Sequence, residues 1–152
     1  MSIKTFLLAI AMTAMTFLPA QADSHMGKKG PTDVVTVVTA SDPQVQLMAM
    51  VLTMQSAKRG LAPSILLCGP AGDMALADAP ASATTGQPPM NMSPKGLMLK
   101  IMEMPMAKVD VCALYLPGKG LDASALTKGI GVAKPPAMAE ALMAPHSKVL
   151  SF

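Results

Sequence analysis

The chain contains two cysteines, and each follows an apolar run of the kind that forms a buried strand. Cys68 ends the run Ser-Ile-Leu-Leu-Cys at 64–68, and Cys112 lies in Val-Asp-Val-Cys-Ala at 109–113. In a parallel sheet the carboxyl ends of the strands share one edge, where ligands and chemistry are usually found. A thiolate at that edge can attack a substrate or carry sulfur when a nearby cation or a helix N-terminus lowers its pKa. The competing interpretation is that each cysteine is a small buried hydrophobe.

Lys119 is the cation expected to favour a thiolate at Cys112, together with the start of a predicted helix at 122–128. We therefore predict Cys112 and Lys119 as the catalytic residues, and Cys68 is the weaker candidate. The turn Gly-Pro-Ala-Gly at 69–72 lacks the lysine of a P-loop and the glycine spacing of a dinucleotide fingerprint. No cofactor is predicted, and no Ser-His-Asp set is recognisable.

Four other ionisable residues are predicted to have structural rather than catalytic roles. His25 and His146 are far apart in sequence and are predicted to be surface residues. Asp73 and Asp78 flank a predicted exposed turn, where an acidic residue more often caps a helix than catalyses a reaction.

Methionine is frequent, at 16 of 152 residues. Met-rich exported segments can bind Cu(I), because thioethers are soft ligands that suit this ion. A non-enzymatic binding or assembly module that holds Cu(I) through Met and Cys side chains is therefore the alternative function. Its thioether ligands would be Met90, Met92, Met104 and Met106. Met98 and Met102 have helical core spacing instead, and methionine often fills gaps in a core.

Short apolar runs alternate with helical patterns along the chain. Strands are predicted at 33–40, 64–68, 109–116, 129–133 and 148–152, the last one ending the chain inside the sheet. Helices are predicted at 44–59, from Ser93 to just before Pro105, at 122–128 and at 135–143, with a mobile loop at 78–91. This alternation predicts a single α/β domain, a doubly wound and mostly parallel five-stranded sheet with helices on both faces.

The N-terminus has the pattern of a cleavable signal peptide over residues 1–22. Lys4 precedes an apolar stretch from Phe6 to Leu18, and Ala-Gln-Ala at 20–22 forms a small-x-small cleavage site. We expect a flexible leader at 23–32, a folded domain at 33–152, and a periplasmic or secreted protein. No later segment predicts a membrane span, so no membrane association is expected after cleavage. The net charge of +3 and the lack of a basic stripe with interleaved aromatics argue against nucleic-acid binding.

From about Asp33 to Phe152 the sequence resembles the DsrE/DsrF-like family of small α/β proteins, which includes sulfur-relay subunits. The most specific part is Val-Cys-Ala at 111–113, followed by Gly-Leu at 120–121, a helix, a short strand, and Lys-Val-Leu-Ser-Phe at 148–152. The resemblance implies a doubly wound parallel sheet assembled into trimers or hexamers. It also implies a persulfide carried on Cys112, with sulfur donor and acceptor proteins as partners.

The expected strand order separates the two cysteines. In a doubly wound sheet the first strand usually lies between the second and the third. Neighbouring strands are ~4.8 Å apart, so Cys68 and Cys112 would be roughly 10 Å apart. A disulfide needs Cα atoms within roughly 7 Å. We therefore predict that the two cysteines are not bonded to each other. Cys112 is expected to be the more reactive, because a wholly apolar strand precedes Cys68 and a tight turn follows it.

Overall fold

The computed structural model describes residues 32–152, which form one five-stranded sheet with helices on both faces. The predicted signal peptide at 1–22 and leader residues 23–31 lie outside the described residues. No helix within 32–152 is both long enough and apolar enough to cross a membrane.

All five strands of the sheet are parallel to their neighbours. They are β1 (Asp33–Val38), β2 (Ala62–Leu67), β3 (Lys108–Cys112), β4 (Gly131–Ala133) and β5 (Ser147–Ser151). The α-helices are α1 (Pro43–Ala57), α2 (Ala81–Thr84), α3 (Pro94–Met102), α4 (Tyr115–Lys119) and α5 (Pro135–Met143). Two 3₁₀ helices, Gly69–Ala75 and Ala123–Ala125, complete the described elements.

The strand order is β4-β3-β2-β1-β5, so β2 lies between β1 and β3. The prediction that β1 separates β2 from β3 is wrong, and the helix positions explain why. Residues of α1, α3 and α4 share one core cluster on the same face of the sheet, whereas α5 packs on the other face. Crossovers between parallel strands are right-handed, so helices on one face advance the strands in one direction. The winding therefore runs from β1 to β4 and reverses only through α5, which places β5 at the opposite edge.

The two faces of the sheet are covered unequally. The first face carries the main core, in which Met50 of α1 and Met98 of α3 are fully buried against Ile65 and Val111. A buried hydrogen bond of 2.7 Å between the hydroxyls of Thr36 and Thr53 joins β1 to α1. On the second face the buried core consists of Val35, Leu66 and Ala133. Helix α5 covers it without burying any of its own residues completely.

Four predicted elements differ from the structure. Strand β3 ends at Cys112 rather than at 116, because Tyr115 and Leu116 begin α4 and turn into the main core. The predicted helix at 122–128 is reduced to the short 3₁₀ helix Ala123–Ala125, and α2 interrupts the predicted loop at 78–91. The last strand spans 147–151 rather than 148–152, and it pairs with β1 alone at the edge of the sheet. Apolar runs this short do not distinguish a strand from a helical turn or an edge strand from a central one.

Candidate functional site

Cys68 and Cys112 are joined by a disulfide bond. Strands β2 and β3 pair in a register that sets Leu67 beside Val111. Cys68 and Cys112 are the residues that follow these two, so they come to lie side by side. The Cα atoms of the two cysteines are 5.1 Å apart, within the range that a disulfide requires. The prediction that they are not bonded is therefore wrong, because β2 and β3 are direct neighbours.

Strand alternation determines which face the cysteines occupy. Side chains along a strand point to opposite faces in turn. Leu66 faces the second side of the sheet, where α5 packs, and Cys68, two residues later, continues the extended backbone just beyond β2. In β3, Val109 and Val111 face the main core, so Cys112 also faces the side of α5. Both sulfur atoms therefore lie on the thinly covered face, at the carboxyl edge of the sheet.

An apolar pocket of about 770 Å³ opens over the disulfide. Cys68, Gly69 and Cys112 form its floor, and one wall consists of Leu114 together with Tyr115 and Lys119 of α4. Helix α5 supplies the opposite wall, with Pro135, Met138, Ala139 and Leu142. A pocket of this size can accommodate a small organic molecule. Sequence reasoning missed the contribution of α5, because these residues follow the typical pattern of a core helix.

The two cysteines differ in exposure. Cys112 is 9% exposed, whereas Cys68 is only partly buried, because it stands where β2 gives way to the 3₁₀ helix at 69–75. Cys68 is thus the more accessible of the two cysteines, whereas the sequence predicts Cys112 to be the more reactive one. The disulfide therefore lies at the boundary between the core and the pocket.

Lys119 lies in the pocket wall, as its predicted role requires, but its charge is shared with a carboxylate. Its Nζ is 2.8 Å from Oδ1 of Asp73 and 5.9 Å from the centre of the Tyr115 ring. A paired lysine stabilises a nearby thiolate less than an unpaired one, because the carboxylate opposes its field. Asp73 lies within the 3₁₀ helix at 69–75, and its carboxylate contacts Lys119 and Tyr115, so the prediction that it caps a helix is wrong.

Tyr115 donates a hydrogen bond of 2.7 Å from its hydroxyl to Oδ1 of Asp73. Burial raises the pKa of Tyr115, and the hydrogen bond and negative charge of Asp73 raise it further. The phenol therefore stays protonated and fixes the carboxylate that pairs with Lys119. Sequence reasoning did not assign Tyr115 to the site; its place next to a cysteine-bearing strand end was the available signal.

The 3₁₀ segment that carries Asp73 is held from two sides. The ring of Tyr115 lies so close to Gly72 that a Cβ atom there would overlap it. Nζ of Lys95 donates to the carbonyl oxygens of Leu76 and Ala77, just beyond the 3₁₀ helix. Burial lowers the pKa of Lys95, and the charge of Asp78 partly offsets this effect. These contacts fix the backbone that follows Cys68.

His146 and the four methionines of the copper alternative do not line the pocket over the disulfide. Nε2 of His146 lies 2.9 Å from Oδ2 of Asp33, at the opposite edge of the sheet. His25 lies outside the described residues. Met90 and Met92 line a groove that precedes α3, and Met104 and Met106 line a separate one beyond it. Residues 32–152 contain no group of three or more His, Cys, Asp or Glu side chains that could hold a metal ion. The four methionines of the copper alternative therefore do not form one ligand set.

Comparisons with known proteins identify the fold. No protein-family model matches the chain. No curated protein matches it either. Among solved structures, the ychN protein from E. coli aligns with a TM-score of 0.63 at 14% identity, covering 80% of this chain and 99% of that one. A protein of unknown function, MTH1491 from Methanobacterium thermoautotrophicum, aligns with a TM-score of 0.54 at 11% identity, covering 78% and 96%.

These likenesses, at identities of 14% and 11%, concern the fold. The alignments cover 99% and 96% of the two solved chains, so the likeness extends over nearly the whole of each of those folds. The predicted fold class is confirmed: the chain is a single-domain, five-stranded parallel α/β protein with helices on both faces, of the DsrE-like fold.

Proposed function

We propose that this protein carries sulfur as a persulfide on Cys112 and works in the periplasm or outside the cell after cleavage near Asp23. In this proposal a donor persulfide passes its outer sulfur to the Cys112 thiolate. The disulfide with Cys68 is then the oxidised form of the same site. Donor and acceptor proteins remain its proposed partners.

The observation that carries the proposal is the position of the Cys68–Cys112 bond on the floor of an apolar pocket. A disulfide that only stabilises a fold needs no cavity above it. Here a pocket of about 770 Å³ gives a small molecule access to the sulfur atoms. The pocket also lies at the carboxyl edge of a parallel sheet, where ligands of such folds bind.

Lys119 supports the loading step electrostatically. Sulfur transfer requires the thiolate form of Cys112, and a cation beside the pocket favours it. Because Asp73 lies 2.8 Å from Lys119, the strength of this effect depends on the Asp73–Lys119 pair. The two residues thus make opposite contributions to the same thiolate.

The proposal is tested with the single-thiol variant Cys68→Ser, with Cys112→Ser as its matched control. Each reduced variant is treated with a polysulfide, freed from reagent and weighed intact. We expect Cys68→Ser to gain the mass of one sulfur atom, mapped to Cys112, and Cys112→Ser to gain far less. An absence of added sulfur in Cys68→Ser contradicts the proposal.

The role of Lys119 is tested by the rate at which a neutral alkylating reagent modifies Cys112 in the Cys68→Ser background. We expect Lys119→Gln to slow the reaction, because the thiolate loses a stabilising charge. We expect Asp73→Asn to accelerate it, because Lys119 is released from its carboxylate. Equal rates in the three proteins would remove Lys119 from the site.

A further inference from the structure

We propose that Cys68 discharges the persulfide on Cys112 and releases its outer sulfur as hydrosulfide, so that the protein acts as a reductase of sulfane sulfur. This inference rests on the proposed function, since it needs a persulfide on Cys112. It assigns to Cys68 a chemical role that the sequence does not indicate.

The geometry puts the attacking and the attacked sulfur within reach of each other. Cys68 directly follows β2 and Cys112 ends the adjacent strand β3, and their Cα atoms are 5.1 Å apart. The backbone N–H of Cys68 donates to the carbonyl oxygen of Val38, and Cys112 is paired with Ala133 of β4, so both backbones are held in place and bond formation needs no large movement. The bond that the attack would form is the one present in the structure.

The chemistry balances without an external oxidant. In the loading step the Cys112 thiolate attacks the outer sulfur of an organic persulfide and expels the organic thiolate. In the discharge step the Cys68 thiolate attacks Sγ of Cys112, and the bond from that Sγ to the outer sulfur breaks. The electron pair of the broken bond leaves with the outer sulfur, which retains its proton and departs as hydrosulfide. The Cys68 sulfur is oxidised, the outer sulfur is reduced, and a dithiol reductant returns the disulfide to two thiols.

A comparison of magnitudes favours discharge over transfer to an external thiol. Well-oriented groups held in one molecule react with effective concentrations of up to ~10⁵–10⁸ M. An acceptor thiol in solution is many orders of magnitude more dilute, and it has to diffuse into the pocket, as the donor persulfide does. Cys68 is already at the floor of that pocket. Release of hydrosulfide is therefore expected to precede relay whenever Cys68 is reduced.

The experiment compares the wild-type protein with Cys68→Ser and Cys112→Ser. Each is reduced, freed from reductant without oxygen, and mixed with one equivalent of glutathione persulfide, after which sulfide and intact mass are followed. We expect the wild type to release close to one equivalent of sulfide and to form the disulfide. Cys68→Ser should keep the added sulfur and release no sulfide above the protein-free control.

The outcomes separate the two proposals. If Cys68→Ser takes up no sulfur, the proposed function itself fails. If the wild type and Cys68→Ser hold the persulfide equally long and neither releases sulfide, only the discharge role of Cys68 is overturned. If, in addition to that failure to load, Cys112→Ser holds a stable persulfide on Cys68, the assignment of the two roles is overturned as well. Both variants lose the disulfide, so each controls for the structural effect of losing it in the other.

Discussion

The ring of Tyr115 packs directly on the backbone at Gly72, and the hydroxyl of the same tyrosine donates to Asp73, one residue further along. This contact joins the segment after β2 to the segment after β3. The two segments directly follow Cys68 and Cys112, which lie on the floor of the pocket. Residue 72 therefore has to be a glycine for α4 to approach this closely.

The first prediction concerns Gly72→Ala. Its new Cβ would overlap the Tyr115 ring, and overpacking of this kind typically costs about 1–3 kcal/mol of unfolding free energy. The matched control is Gly118→Ala in α4, where an added Cβ meets no atom within 4 Å. We expect the control to be neutral or slightly stabilising, since alanine is the better helix former. Denaturant unfolding measures both changes, and equal stability of the two variants contradicts the packing described.

The second prediction concerns the ionisation of Tyr115, which can be observed directly because the chain has one tyrosine and no tryptophan. Burial and Asp73 raise its pKa, so the phenolate absorbance of the native protein should appear only above the ordinary value of ~10. We expect Asp73→Asn to lower the midpoint part of the way, because burial is the larger cause and remains. A native midpoint at the value of the unfolded chain would contradict the buried hydrogen bond.

The same pKa shift predicts a dependence of stability on pH. Above the ordinary tyrosine pKa of ~10 the native state binds more protons at Tyr115 than the unfolded state does. The stability that this residue contributes is therefore complete below that value and is lost as the pH rises through the raised native pKa. Tyr115→Phe should remove this component, as measured by urea unfolding at a series of alkaline pH values.

The third prediction concerns reduction of the disulfide, which joins residues 44 positions apart. Closing a loop of this length restricts the unfolded chain and contributes about 4 kcal/mol in the chain-entropy model. We expect a reductant to lower the free energy of unfolding by up to that amount. The double variant Cys68→Ser/Cys112→Ser should resemble the reduced protein and should not respond to the reductant. A wild-type protein with the same stability in both redox states would contradict the prediction.

The fourth prediction is that the protein self-associates as a trimer or hexamer, as the family resemblance implies. The side of the sheet covered by α5 is the thinner one, and Met143 at the end of that helix is 81% exposed. We expect Met143→Glu to weaken the assembly in sedimentation experiments. Met90, which is 80% exposed in the segment before α3, provides the matched control as Met90→Glu. A wild-type monomer at micromolar concentration would contradict the prediction.

The fifth prediction is that the exported protein begins at Asp23 or within two residues of it. The motive is Ala-Gln-Ala at 20–22, after an apolar stretch shorter than the ~20 residues of a membrane span. N-terminal sequencing of the protein recovered from outside the cytoplasm measures the start. A membrane-bound product that retains Met1 would contradict it.

The sequence by itself determined the fold class and the edge of the sheet at which the cysteines lie. Apolar runs such as Val-Val-Thr-Val-Val at 34–38, with helical segments between them, are sufficient to predict a parallel α/β sheet. Asp42 and Pro43 locate the start of α1, because the capping hydrogen bonds depend on neighbouring residues alone. Cys68 and Cys112 stand at strand ends, and a parallel sheet places such ends at one edge.

Only the tertiary structure decided which strands are neighbours and what surrounds the cysteines. Strand order depends on the face to which each helix packs, and α1, α3 and α5 do not differ in local pattern in a way that specifies that face. The disulfide, the Asp73–Tyr115 hydrogen bond and the wall formed by α5 each join segments distant in sequence. Local sequence patterns carry no information on such pairings. The pairings form only when the connections between strands fold back and bring distant segments together.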